Sequence, residues 1–188
     1  MNLPNSITVG RLVLTAIFVV AATLNTATGN LVALIAFALA TFSDFLDGYL
    51  ARKLNLVTAL GKLLDPLADK ILVAAAFIHL TALGLCPVWV TSIIIAREFL
   101  VTGLRQIAVE QGEVIAADNL GKWKTTFQLI FCLAALTWLV VQGNPESWLA
   151  KLSHPCGLLQ QISLWGALLL TAASGLNYTW KGRHLFKG

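Results

Sequence analysis

Six near-continuous apolar stretches, residues 7–24, 31–50, 63–83, 88–102, 123–141 and 158–180, govern what this chain can fold into. Most approach the roughly 20 residues that a helix needs to cross a bilayer. Turn-forming residues separate them: Gly29-Asn30, Gly84, Cys86-Pro87, Gly112, Gly143-Asn144-Pro145, and Pro155 with Gly157. The runs are continuous and rich in Leu and Ala, without the alternation of a membrane β-barrel. Of the 188 residues, 57% are hydrophobic and only 12% charged. Soluble domains carry about 25% charged residues, so this composition excludes a soluble globular domain, a disordered chain and a coiled coil. Three cysteines, with no C-x-x-C spacing, exclude a disulfide scaffold, and Cys86, Cys132 and Cys156 read as small apolar side chains. The expected fold is an all-α integral membrane protein. It has six transmembrane helices in a single domain, residues 1–188, with a polar cavity open to the cytoplasm.

The first stretch is read as a retained span rather than a cleaved leader, because Arg11 sits inside it and five further spans follow. With the N-terminus cytoplasmic, six spans return the C-terminus to the same side. Arg11, Arg52, Lys53, Lys62, Lys70, Arg97, Arg105, Lys122, Lys124, Lys181, Arg183 and Lys187 then fall on the cytoplasmic side, and only Lys151 on the other. This asymmetry is the signature of positive-inside topology. Asp44, Asp47, Asp65, Asp69, Glu98, Glu110, Glu113 and Asp118 share that side, and only Glu146 does not. The compact chain points to a bacterial inner (plasma) membrane. The formal charge of +4 comes without a basic helix stripe or interleaved aromatics, so no nucleic-acid partner is expected. His79, His154 and His184 have no metal-ligand spacing. Trp89, Trp138, Trp148, Trp165 and Trp180 fall mostly near span ends, as an aromatic belt does.

Chemistry concentrates where spans two and three meet. Asp44 and Asp47 are three residues apart, and Asp65 and Asp69 four apart, so each pair shares one helix face. A short loop near 53–60 makes the two helices antiparallel neighbours. Four carboxylates converging at a membrane surface repel one another, and burying them is costly. Protonation or cation binding relieves both costs. Their hard oxygen donors suit Mg²⁺, Mn²⁺ or Ca²⁺, and four can hold two ions about 4 Å apart. Asp65 before Pro66 also fits a helix N-cap, so span three either begins near Asp65 or bends there. Gly48 and Gly61 admit either close helix packing or the approach of a flat base or ribose, which Ala51 would help. Arg52 suits a phosphate.

The segment D-x2-D-G-x2-A-R-x8-G-x3-D-x3-D resembles the signature of the CDP-alcohol phosphotransferase family. Asp44, Asp47, Gly48, Ala51, Arg52, Gly61, Asp65 and Asp69 fill it, over 26 residues. The resemblance implies transfer of a CDP-activated group to an alcohol with release of CMP, a requirement for Mg²⁺ or Mn²⁺, and a homodimer. It implies that Asp44, Asp47, Asp65 and Asp69 ligate two metal ions, with Asp69 also the general base, and that Gly48, Ala51, Arg52 and Gly61 line the CDP pocket. Pro4-Asn5-Ser-Ile-Thr8-Val-Gly-Arg11 is similar to the family's opening pattern, implying that Asn5 and Thr8 help hold the nucleotide.

The later charges bear on the acceptor. Arg97, Arg105, Lys122 and Lys124, with the hydroxyl of Thr125, suit an acceptor phosphate, although positive-inside topology alone would also place such cations there. The pieces Ala96-Arg97-Glu98-x6-Arg105 and Gly121-Lys122-x-Lys124-Thr125 look like those of members whose acceptor is glycerol 3-phosphate. The implied reaction joins the phosphatidyl group of CDP-diacylglycerol to sn-glycerol 3-phosphate, giving phosphatidylglycerophosphate and CMP. The alternatives are a cardiolipin synthase using phosphatidylglycerol, a serine or inositol-phosphate transferase, a membrane prenyltransferase, and a divalent-cation transporter. The transporter would call for an internal repeat, and none is visible.

Overall fold

The computed structural model describes residues 3–54, 59–113, 119–144, 146 and 148–183; for residues 3–7, 44–54, 59–67, 69, 148 and 149 it describes the backbone alone. Asp118, His184 and Lys187 lie outside the described residues. Six α-helices follow in order: α1 (Leu3–Thr23), α2 (Ala27–Leu54), α3 (Ala59–Ala82), α4 (Val88–Glu110), α5 (Asn119–Gln142) and α6 (Ser153–Lys181). A 3-10 turn, Trp148–Leu152, leads into α6 and was not expected from the sequence. Among the described residues, no strand is present.

Two segments, Asn119–Gln142 and Ala150–Lys181, are long and apolar enough to cross a membrane; Thr8–Thr23, Ala27–Ser43 and Lys70–Ala82 are apolar but shorter. The helices overrun the apolar stretches of the sequence. Helix α4 continues past residue 102 because Val101, Leu104 and Ala108 keep a buried stripe at helical spacing, while Gln106 and Glu110 are exposed. Helix α3 begins at Ala59, so Pro66 lies inside it rather than at its start. That removes the N-cap alternative for Asp65.

The connections follow from local chemistry. The turn expected at Gly29-Asn30 lies instead at residues 24–26, where Asn25 takes a left-handed conformation (φ 49°). Asn tolerates that region better than most residues. Thr26 caps α2, its Oγ1 accepting the Gly29 N–H at 3.0 Å. Gly29 is already helical, and its lack of a Cβ has a packing cause. A Cβ there would lie 2.7 Å from the Ala21 carbonyl oxygen on α1. Gly29→Ala should therefore force the α1–α2 corner apart and destabilise the protein by about 1–3 kcal/mol. Thermal unfolding in detergent reads this, and an unchanged midpoint would show that the corner yields freely.

Helix α3 ends with the Leu85 N–H donating to the Leu80 carbonyl at 2.9 Å and the Gly84 N–H to Thr81 at 3.0 Å. Gly84 has φ 74°. Helix α4 ends the same way, through Gly112 (φ 77°), with the Glu113 N–H on the Ala108 carbonyl at 2.8 Å. Both are glycine-terminated Schellman caps.

Helix α1 packs on α2 and α3, α5 on α6 and α2, and α4 on α6 and α3. Phe18 stacks near Phe37 (5.7 Å between ring centroids), and Phe77 near Phe131 (5.1 Å). All four rings are fully buried, among Ala33, Ala36, Ala40, Ala76 and Ala135. Alanine at these contacts lets helix backbones approach closely. The outside is equally apolar: Val20, Phe42, Leu169 and Leu176 are 60–74% exposed. An apolar coat this widespread suits lipid rather than water.

Candidate active site

Three helices in mutual contact carry the acidic signature and its neighbours. Helix α2 bears Asp44, Asp47, Gly48, Ala51 and Arg52; α3 bears Gly61, Asp65 and Asp69; α1 bears Asn5 and Thr8. The side chains of all these except Thr8 lie outside the described residues. The backbone is helical through both aspartate pairs, so Asp44 and Asp47 share one turn of α2, and Asp69 lies one turn beyond Asp65 on α3. Carboxylate oxygens in this register are a donor set that fits hard divalent cations. Thr8 is buried, as is Arg11 one turn on. Arg11 is thus held inside the bundle and is not a surface topology charge. Lys124 is buried as well.

A cavity of about 480 Å³ opens between α3, α4, α5 and α6. All five residues with the expected acceptor chemistry line it: Arg97, Arg105, Lys122, Lys124 and Thr125. Lys70, Val73, Ala74 and Phe77 form its α3 wall. Val73 follows Asp69 by four residues and Phe77 by eight, so in helical register Asp69 belongs to the same face of α3, one turn before Val73. The acidic segment and the basic cavity are therefore successive stretches of one helix face.

The cavity's charges are held in place by contacts that cross between helices. Glu98 accepts a hydrogen bond from the Lys124 ammonium, and an Arg97 nitrogen lies 3.6 Å from the same carboxylate oxygen. Arg97 also donates to the Ser174 hydroxyl on α6. Arg105 Nη2 donates to the Tyr178 hydroxyl at 3.1 Å. Both guanidiniums lie over the Tyr178 ring, at 5.4 Å for Arg97 and 5.3 Å for Arg105. That range allows cation–π attraction. A Cβ on Gly175 would come within 3.3 Å of Arg97 Cγ, so glycine there gives the arginine stem its passage. Thr125, by contrast, is exposed and donates its hydroxyl to the Gly121 carbonyl at 3.1 Å.

Among the described residues lining the cavity, the cations Lys70, Arg97, Arg105, Lys122 and Lys124 face one carboxylate, Glu98. The balance favours an anion. Glu98 partly neutralises Lys124 and Arg97, which leaves Arg105 and the exposed Lys122 as sources of positive field. The sequence did not single out Lys70, Gln128, Ser174 or Tyr178 for this cavity. A signal for α6 existed: Thr171, Ser174 and Tyr178 recur at helical spacing within an apolar run, and all three are buried.

A cavity rich in arginine and lysine beside a helical D-x2-D-G-x2-A-R-x8-G-x3-D-x3-D segment fits a transferase that handles phosphate esters, and comparison with known proteins gives that class its family. The CDP-alcohol phosphatidyltransferase family profile matches residues 1–173, and the chain belongs to this family. Similar proteins include the CDP-diacylglycerol–glycerol-3-phosphate 3-phosphatidyltransferase of Bacillus subtilis (strain 168), 41% identical over 94% of this chain and 93% of the relative. The protein of the same name from Rickettsia bellii is 37% identical over 94% of this chain and 93% of its own length. That from Salmonella paratyphi A is 35% identical, covering 93% and 96%.

Proposed function

We propose that this protein transfers the phosphatidyl group of CDP-diacylglycerol to sn-glycerol 3-phosphate, giving phosphatidylglycerophosphate and CMP. The observation that carries this reading is the basic cavity continuing the α3 face of Asp69. Relatives named for this reaction, at 35–41% identity over nearly the whole chain, support it. In the proposed setting the chain is one domain, residues 1–188, spanning a bacterial inner membrane six times. Both termini and the cavity face the cytoplasm, and the molecule is a homodimer. The diacylglycerol tails stay in the bilayer while the CDP head enters from the cytoplasmic side.

Asn5, Thr8, Gly48, Ala51, Arg52 and Gly61 hold the CDP head. The acceptor phosphate rests among Arg97, Arg105, Lys122, Lys124 and Thr125, which brings its terminal hydroxyl toward Asp69. Asp69 takes the proton as that hydroxyl attacks the phosphorus bearing diacylglycerol, and the bond to the CMP oxygen breaks. Members of the family generally use divalent metals, and Asp44, Asp47, Asp65 and Asp69 are the residues that would hold them, two ions in this reading. Bound cations would supply charge neutralisation at the pyrophosphate and the departing CMP. Arg52 adds to that neutralisation, and positioning by the cavity provides much of the remaining rate gain.

The test is CMP release by purified protein in detergent with CDP-diacylglycerol and Mg²⁺. Glycerol 3-phosphate, phosphatidylglycerol, serine and inositol phosphate are supplied separately. Release with glycerol 3-phosphate alone is expected. Release with only another acceptor would overturn the acceptor assignment, and metal uptake into proteoliposomes without CMP release would return the transporter reading. In the same assay, Lys122→Ala and Arg105→Ala should each raise the KM for glycerol 3-phosphate about tenfold or more, the loss expected for one charge-assisted contact. The KM for CDP-diacylglycerol should move far less; equal effects on both would remove the phosphate from this cavity.

A further inference from the structure

At the inner end of the cavity, the chemistry changes from charged to neutral. Gln128 lies on α5 one turn beyond Lys124, and its side chain is only 2% exposed. It lines the cavity, yet its buried Nε2 has no hydrogen-bond partner among the described residues. The walls beside it are apolar: Phe77 and Ile94 line the same cavity, and Phe131, one turn further along α5, stacks on Phe77. A buried amide in such surroundings is costly unless something hydrogen-bonds to it. An anion would not leave the five cations for this apolar end, because it would lose its counter-charges and its hydration together. A neutral hydroxyl meets no such penalty, and it can both donate to and accept from an amide.

We infer that Gln128 is a specificity-determining residue that reads a neutral hydroxyl of the acceptor, the one that is neither phosphorylated nor attacking. The ligand class is a phosphomonoester carrying two hydroxyls, one to react and one to be recognised. In glycerol 3-phosphate the recognised group is the secondary hydroxyl at C2. This rests on the glycerol 3-phosphate reading proposed above and extends it from the acceptor's charge to its hydroxyl pattern. A site that hydrogen-bonds a substrate hydroxyl discriminates against the analogue lacking it, because its own buried polar group is then left unpaired.

The experiment compares glycerol 3-phosphate with 3-hydroxypropyl phosphate, which keeps the phosphate and the primary hydroxyl but lacks the C2 hydroxyl. The full-length protein in detergent, with CDP-diacylglycerol and Mg²⁺, is assayed for CMP release with each. The wild type should prefer glycerol 3-phosphate in kcat/KM by tenfold or more. Gln128→Leu, apolar and of similar size, should bring the two values within about twofold of each other. Gln128→Asn, which keeps an amide on a shorter stem, should retain part of the preference. Lys122→Ala should lower both acceptors alike and leave their ratio intact, since both carry the phosphate. A preference unchanged in Gln128→Leu, or a wild type that does not distinguish the two acceptors, would overturn the assignment. Because the readout is a ratio within one variant, reduced yield or stability does not imitate the effect. A wild type that uses neither phosphate but releases CMP with another acceptor would instead overturn the glycerol 3-phosphate reading, and this inference with it.

Discussion

Asp69→Asn should leave the protein folded and able to bind CDP-diacylglycerol while lowering kcat by about 10³-fold or more. The substitution keeps the size of the side chain and removes its capacity to accept a proton. General-base contributions commonly reach about 10²–10⁴-fold, and in the proposed mechanism Asp69 is also a metal ligand, which adds to the loss. Its register on α3 supports the role: one turn before Val73, it stands where the acidic segment passes into the basic cavity. Lipid binding is read by CDP-diacylglycerol protection against thermal unfolding, and turnover by CMP release. Turnover near wild type would end the assignment. Loss of both binding and turnover would make Asp69 a binding residue and no more.

The second large effect concerns stability. Glu98→Ala should lower the melting midpoint in detergent strongly, because it leaves the buried Lys124 ammonium without its carboxylate. Breaking a buried pair by removing one partner costs about 3–5 kcal/mol. For a chain of this length that corresponds to a shift on the order of 10 °C. The double variant Glu98→Ala/Lys124→Met should recover most of it, since the orphaned charge goes too. A double variant as unstable as Glu98→Ala alone would show that Glu98 acts through Arg97 and not through Lys124. Arg97 lies 3.6 Å from the same carboxylate, so a partial recovery would apportion the two contacts.

The features legible in the sequence were those set by spacing along one helix. The aspartate pairs, the six helices and the glycine stops at Gly84 and Gly112 all depend on local periodicity and backbone preference. So did the basic residues of α4 and α5, whose gathering around one cavity follows from two helices with polar faces at matched depth. Gly29 was misread because turn chemistry and close packing favour the same residue; the Ala21 carbonyl that explains it belongs to another helix. Tyr178 and Ser174 escaped notice for a similar reason. Each is an unremarkable polar residue within α6 until the packing of α6 on α4 sets it against an arginine some 70 positions earlier. Gln128 carried a weaker signal, four residues after Lys124 on the same face, but nothing in the sequence shows that its amide is buried. Side-chain partnerships across helices are a property of assembly, and one-dimensional spacing does not encode them.

The seating of Arg97 and Arg105 on α6 has a consequence for biogenesis. Translation delivers the carboxylates of α2 and α3 first, then the arginines of α4, and after these the ring and hydroxyl groups of α6 that fix those arginines. Until α6 docks, Arg97 lacks the Ser174 oxygen and both guanidiniums lack the Tyr178 surface, so the basic cavity is incomplete. In the proposed reaction, a chain on which α6 has not yet docked would carry the carboxylates of α2 and α3 without a fixed seat for the acceptor phosphate, so docking of α6 would complete the site.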